Sequence, residues 1–325
     1  MNEQQFLVDL DRHGYSLEKE IGRGGYSVVY LIVSQKYNTK FVAKKILKQA
    51  GKTYSESEID ILLRLSHTNI IRFYESFHSG DNQVIILEYC PNGSLATFLD
   101  ENEQLSLQQF YNITHQITQA IKYCHDNGVS HCDIKPENIL LDSYGRSKLT
   151  DFGIAQISEV GVKIKKFDGS LPYMAPELLN KIKHDPFATD IWSLGVTFFV
   201  ILFKKLPWSA SGEKEMLYQI TRGLVCYPTT IDEKLYGLFN KMICVNPSKR
   251  YKIDQVLKVL ETLKEQYNHK TGNKDSGQLI QIKKPEEDPT KISLKIKAVR
   301  TFLNEPGNMS QRRRRVSRTF AEQNT

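Results

Sequence analysis

The 325 residues predict an α+β chain, with a small β-rich lobe first and a larger helical lobe after it. Two features carry that prediction. Short extended runs bounded by turn residues fill most of the first ninety positions, and from about residue 94 apolar residues recur at helical spacing. Residues 15–21 and 27–33 read as strands around a glycine-rich turn, and 40–47 as a third strand after the turn-like Tyr37-Asn38-Thr39. Over 56–65 the apolar residues Ile59, Leu62, Leu63 and Leu65 predict a helix. Residues 73–78 and 83–89 then form a hairpin around Ser79-Gly80-Asp81-Asn82. Helices are expected over 94–100, 107–127, 188–204, 213–223, 231–245 and 253–267. Past Tyr267 the periodicity stops and Lys, Gly, Asn, Pro and Glu dominate. The expected organisation is an N-terminal extension (1–14), one folded domain (15–267) and a basic, disordered tail (268–325).

Composition narrows the function classes. Hydrophobic residues are 40% and charged residues 25%, the balance of a soluble globular domain rather than a disordered chain. Five scattered cysteines with no C-x-x-C pair argue against a disulfide framework or a structural zinc site, and fit a reducing compartment such as the cytoplasm. No basic-then-apolar start suggests a secretory signal. The longest apolar run, 191–203, would span roughly 20 Å as a helix, too little to cross a bilayer. Of the net charge of +7, residues 265–325 carry +6, so the folded part is close to neutral and is not expected to bind nucleic acid.

Gly22-Arg23-Gly24-Gly25-Tyr26-Ser27-Val28-Val29 has the form G-x-G-x-x-S-x-V. Glycines let backbone N–H groups approach phosphate oxygens, although a plain hairpin turn fits the same residues. Ala43-Lys44-Lys45 follows on the third strand. A lysine beside such a loop supplies a point charge for phosphates if a carboxylate holds it, and Glu58 is the candidate. Strand alternation puts Ala43 and Lys45 on one face, which selects Lys45 over Lys44.

The richest stretch is His131-Cys132-Asp133-Ile134-Lys135-Pro136-Glu137-Asn138, followed by Asp151-Phe152-Gly153 and Ala175-Pro176-Glu177. H-x-D-x-K-P-x-N, D-F-G and A-P-E in this order resemble the signature set of eukaryotic protein kinases, over roughly residues 15–267. The resemblance implies the two-lobed kinase fold and transfer of the γ-phosphoryl group of ATP, with Mg²⁺, to a protein Ser or Thr. It assigns Asp133, Lys135 and Asn138 to catalysis, and Asn138 with Asp151 to the metal. Nucleotide contacts fall to Ile21, Gly22, Arg23, Gly24, Gly25, Tyr26, Ser27, Val28, Val29, Ala43, Lys45, Glu58, Glu88, Cys90 and Leu140. Val29, Ala43 and Leu140 would sandwich adenine, Glu88-Tyr89-Cys90 would be the hinge, and Leu87 the gatekeeper. Lys135 and Ser170 are similar to the family's Ser/Thr-directing residues. His131, Phe152, Leu62 and Phe73 would stack into an apolar spine anchored by Asp190, and Glu177 would pair with Arg250. The hinge exit, Gly169–Glu177 stretch and Leu206-Pro207-Trp208 look most like the calcium/calmodulin-dependent and related metabolic kinases.

One residue departs from that pattern. Cys132 stands where the family has an arginine that docks a phosphate on the activation loop, so activity without loop phosphorylation is expected. In the tail, Arg312-Arg313-Arg314-Arg315-Val316-Ser317 reads as a solvated basic run or nuclear-import patch, or as an autophosphorylation or pseudosubstrate site. Ser94 and Val200 occupy positions where arginine-directed kinases carry acids, which favours the first reading. The rival class is a pseudokinase scaffold; it predicts loss of a catalytic residue, and Asp133, Asn138 and Asp151 are all present.

Overall fold

The computed structural model describes residues 2–48, 56–102, 105–159 and 161–271. The expected tail past 271, with its basic run and Ser317, lies outside them. A helix comes first: α1 (Asn2–Arg12) occupies most of the stretch expected to be a mere extension. The strands β1 (Tyr15–Arg23), β2 (Ser27–Ser34) and β3 (Thr39–Ile46) follow, then the helix α2 (Glu56–Arg64) and the hairpin β4 (Phe73–Ser79) and β5 (Asn82–Glu88). These strands form one antiparallel sheet in the order β1-β2-β3-β5-β4. Ser79 pairs with Asn82, so the β4–β5 turn is the two residues Gly80-Asp81, and Gly80 takes the left-handed φ of +57° that the turn needs. On α2, Ile61 and Leu62 are buried while Leu63 points outward at 65% exposure, narrowing the apolar face that the sequence predicted.

The rest is helical. The helices α3 (Leu95–Glu101) and α4 (Leu107–Asp126) start on serine caps; Ser106 and Gln109 form a reciprocal capping box that satisfies two otherwise orphaned donors. Short strands carry the next segment: β6 (Val129–Ser130), β7 (Ile139–Leu141), β8 (Ser147–Leu149) and β9 (Gln156–Ile157), pairing β6 with β9 and β7 with β8. They are followed by α5 (Pro176–Leu179), α6 (Pro186–Phe203), α7 (Glu213–Arg222), α8 (Glu233–Met242) and α9 (Ile253–Thr271). Helix α6 is longer than its apolar run because Asp185 caps it and Pro186 opens it. Its 18 residues would suffice to cross a membrane by length and composition, but 72% of them are buried in this fold. It is the central core helix.

The main core joins both lobes, from Ile61 and Leu62 on α2 through Phe152 to Trp192, Phe198 and Phe199 on α6. Gly195 lets α6 approach the end of α8: a methyl group there would lie 2.8 Å from Met242 Cβ and 2.9 Å from Ile243 Cγ1. A second core lies on the far side of the sheet, where Phe6 and Leu10 of α1 pack against Ile32, Ala43, Phe77, Val84 and Ile86.

Candidate active site

The cleft between sheet and helices has a volume of about 560 Å³, within the usual range of small-molecule sites. Ile21, Gly22, Ser27 and Val29 of the glycine-rich hairpin line it, with Val42 and Lys44 of β3, Leu87 to Pro91 at the end of β5, and Leu140. Arg23, Gly24, Gly25 and Tyr26 lie at the outer end of the same hairpin, and Arg23 pairs with Glu20. Val28 is buried opposite Lys45 and turned away from the cleft. Glu88 contributes its place in the hinge rather than its charge, because its carboxylate is held by Lys148 Nζ at 2.9 Å.

Two sequence assignments are corrected here. Lys45 does not face the cleft: its ammonium lies 4.5 Å from the centroid of the Phe6 ring. The charge in the site is Lys44, whose Nζ donates to Glu58 at 2.7 Å and to Asp151 at 2.8 Å. Ala43 likewise belongs to the outer core, and Val42 takes its expected place above the nucleotide base. Alternation did put Ala43 and Lys45 on one face, but it is the wrong face. Register could have settled the matter: with Ser34 opposite Thr39, Val29 must pair with Lys44. Lys19, Leu62, Ile71 and Thr150 also line the cleft and were not assigned to it from the sequence.

The Lys44–Glu58–Asp151 cluster is electrostatically tight. Burial pulls the Lys44 ammonium towards neutrality, but Glu58 and Asp151 more than reverse this and raise its pKa. Burial likewise raises Asp151, and Lys44, with His131 and Lys135, overcomes it and holds the carboxyl below its usual range. Asp151 adopts a left-handed backbone with φ of +64°. Gly153 is small by necessity, since a Cβ would sit 3.3 Å from Asp151 Oδ1 and 3.5 Å from Glu58 Oε2.

Deeper in the catalytic segment, Asp133 collects donors on both oxygens. Oδ2 accepts from Lys135 Nζ at 2.7 Å and Asn138 Nδ2 at 2.9 Å. Oδ1 accepts from the Ser170 backbone N–H at 3.2 Å and its hydroxyl at 2.8 Å, and Lys135 also donates to Ser170 Oγ at 2.6 Å. The segment is anchored from below by buried Asp190. Its carboxylate accepts the N–H of His131 and of Cys132, each at 2.8 Å, and lies 2.9 Å from His125 Nε2. That anchor holds Cys132 at a left-handed φ of +66°. His131 stacks edge-on against Phe152 with ring centroids 4.8 Å apart, the spine contact expected.

The donor set fits Mg²⁺. The Asn138 amide nitrogen is tied to Asp133, which turns its oxygen outward, and Asp151 supplies a half-exposed carboxylate held ionised. Among the described residues no cluster of three or more His, Cys, Asp or Glu could hold a metal, so a cation here would complete its shell with phosphate oxygens and water, as Mg²⁺ favours.

A phosphate-binding hairpin, a paired lysine, a metal-ready aspartate and a carboxylate beside a serine pocket define a nucleotide-dependent phosphotransferase. The protein kinase domain family matches residues 15–260, and the chain belongs to that family. It is 34% identical over 260 residues to a probable myosin light chain kinase of Dictyostelium discoideum, covering 75% of this chain and 52% of that protein. Identity to the human NUAK family SNF1-like kinase 1 is 32% over 251 residues, 75% of this chain and 38% of that one. A carbon catabolite-derepressing protein kinase of Candida glabrata is 30% identical over 299 residues, 86% of this chain and 49% of its own length. The chain thus spans about half or less of the curated relatives it matches.

Proposed function

We propose that this chain is a protein serine/threonine kinase that transfers the γ-phosphoryl group of MgATP to Ser or Thr hydroxyls of protein substrates. The observation that carries the reading is the Asp133–Lys135–Ser170 constellation, set beside a Lys44–Glu58–Asp151 cluster. Phosphoryl transfer passes through a loose transition state, so the work of the protein is positioning and charge stabilisation. Asp133 orients the acceptor hydroxyl and accepts its proton, a role worth roughly 10²–10⁴-fold. Lys135 neutralises charge on the group in flight, while Lys44, steadied by Glu58, holds the phosphates. Mg²⁺ would sit on Asp151 and Asn138 and supply the charge that bridges and neutralises the phosphates.

Acceptor choice rests on Lys135 and Ser170, which close round Asp133. A pseudokinase scaffold is disfavoured because every charged group of the reaction is present and mutually bonded. The likeness to SNF1-like and myosin light chain kinases supports membership of the calcium/calmodulin-dependent and related group. A phosphotransfer assay on a Ser/Thr peptide library, with Asp133→Asn beside the wild type, tests the reading. Equal turnover by the two proteins would refute it.

A further inference from the structure

The outer face of the sheet holds a second set of contacts on β3 that the chemistry above does not use. Phe6 and Leu10, four residues apart on α1, are each 1% exposed, and their core includes Ala43, which is fully buried. Lys45, 6% exposed, lies over the Phe6 ring at 4.5 Å. Ala43 and Lys45 are the immediate neighbours of Lys44, so the residues on either side of the phosphate-holding lysine both seat on α1. The helix is docked at further points. Gln35 Nε2 donates to Asp11 at 2.8 Å, and just past the helix end His13 stacks on Phe77 at 3.9 Å and bonds Glu75 at 3.1 Å. All of this lies before residue 15, where the family match begins.

We propose that α1 is a built-in positioning element for the nucleotide site, with Phe6 as the positioning residue that acts through β3 on Lys44. Lys44 makes bonds of 2.7 and 2.8 Å to two carboxylates on different elements, α2 and the segment after β8. A strand that settles towards its outer face by a fraction of an ångström lengthens both bonds together. Phe6 fills the space into which β3 would settle, and close packing transmits that constraint. The proposal rests on the phosphotransferase reading of the cleft.

The test is a double-mutant cycle on the full chain, reading the MgATP dissociation constant by calorimetric titration well below the melting temperatures. Phe6→Ala is expected to weaken MgATP up to about tenfold, less than the ~100-fold that a 1 Å misplacement of a reacting group can cost. Phe6→Leu should restore most of it. In a Lys44→Met background, Phe6→Ala should change nothing further, because the lysine it positions is gone. Leu260→Ala in α9, a buried change of comparable kind far from β3, should lower the melting temperature without weakening MgATP. The idea is overturned if Phe6→Ala lowers only the melting temperature, or weakens MgATP equally with and without Lys44. Should Phe6→Ala not fold, Phe6→Leu carries the cycle on its own. Failure of the kinase reading would appear separately, as Asp133→Asn turnover equal to wild type while the binding cycle remains readable.

Discussion

Lys44 and Lys45 differ in nothing but the face of β3 they occupy, and that difference decides what each can do. Lys44 sits between two carboxylates, whereas Lys45 rests its stem and ammonium on an aromatic ring. Lys44→Met should therefore lower kcat by roughly 10²–10³-fold, the usual effect of deleting one charge-stabilising donor. Lys45→Met keeps the packing stem and should stay within about threefold of wild type. Initial-rate phosphotransfer assays distinguish the two. The cysteines give a second residue-scale expectation. Burial pushes the Cys90 and Cys132 thiols up to about 12, with Glu88 and Asp190 respectively adding to the shift. At pH 8 only about one such thiol in ten thousand is ionised, so both should resist iodoacetamide, while exposed Cys226 labels first. Peptide mapping of native protein after alkylation checks this; prompt labelling of Cys132 would contradict it.

At the scale of the element, the activation segment is held without a phosphate. β9 pairs with β6, Ile164 and His184 exchange backbone hydrogen bonds at 2.9 and 3.1 Å, and Lys166 Nζ reaches the Ile154 carbonyl at 3.2 Å. Cys132, Lys166 and His184 line the same small cavity. Ser158→Ala, and phosphatase-treated wild type, should therefore keep activity within about twofold, since no arginine waits there for a phosphate. Loss of activity on dephosphorylation, with recovery on phosphorylation of Ser158, would contradict this. Phosphate on Ser170 should instead inhibit, because it would force negative charge against Asp133.

Elements also show where the sequence was legible. Asp133, Lys135, Asn138 and Asp151 sit in short contiguous motifs whose chemistry reads directly, and the helices and strands followed from periodicity to within a few residues. Lys44 was misread because a tandem pair offers both faces and alternation alone cannot name the inner one. The helix α1 was missed because its apolar face is only Phe6 and Leu10 in a polar stretch. A clue did exist in β5: Val84-Ile85-Ile86-Leu87 is an unbroken apolar run, and an antiparallel strand of that kind is covered on both faces.

Across the whole molecule, one buried ion pair ties the end of the activation segment to the helical lobe. Arg250 meets Glu177 through two bonds of 2.6 and 2.8 Å. It also donates to the carbonyls of Cys244 and Ala188, and its guanidinium lies 5.0 Å from the Trp192 ring centroid. Lysine cannot reproduce this planar fork. Arg250→Lys or Glu177→Gln should destabilise by about 3–5 kcal/mol, the cost of leaving a buried charge without its partner. Urea unfolding monitored by circular dichroism measures it, and a loss below ~1 kcal/mol would show the pair to be dispensable.

The contact at Gly195 has a use in living cells. Alanine there must push Met242 and Ile243 aside, yet the damage falls on a junction of two helices remote from the phosphates and the acceptor pocket. Gly195→Ala would thus make a heat-sensitive allele, folded and working in the cool and cleared by proteolysis when warmed. Shifting the incubator setting would then remove the protein within one generation, without any inhibitor.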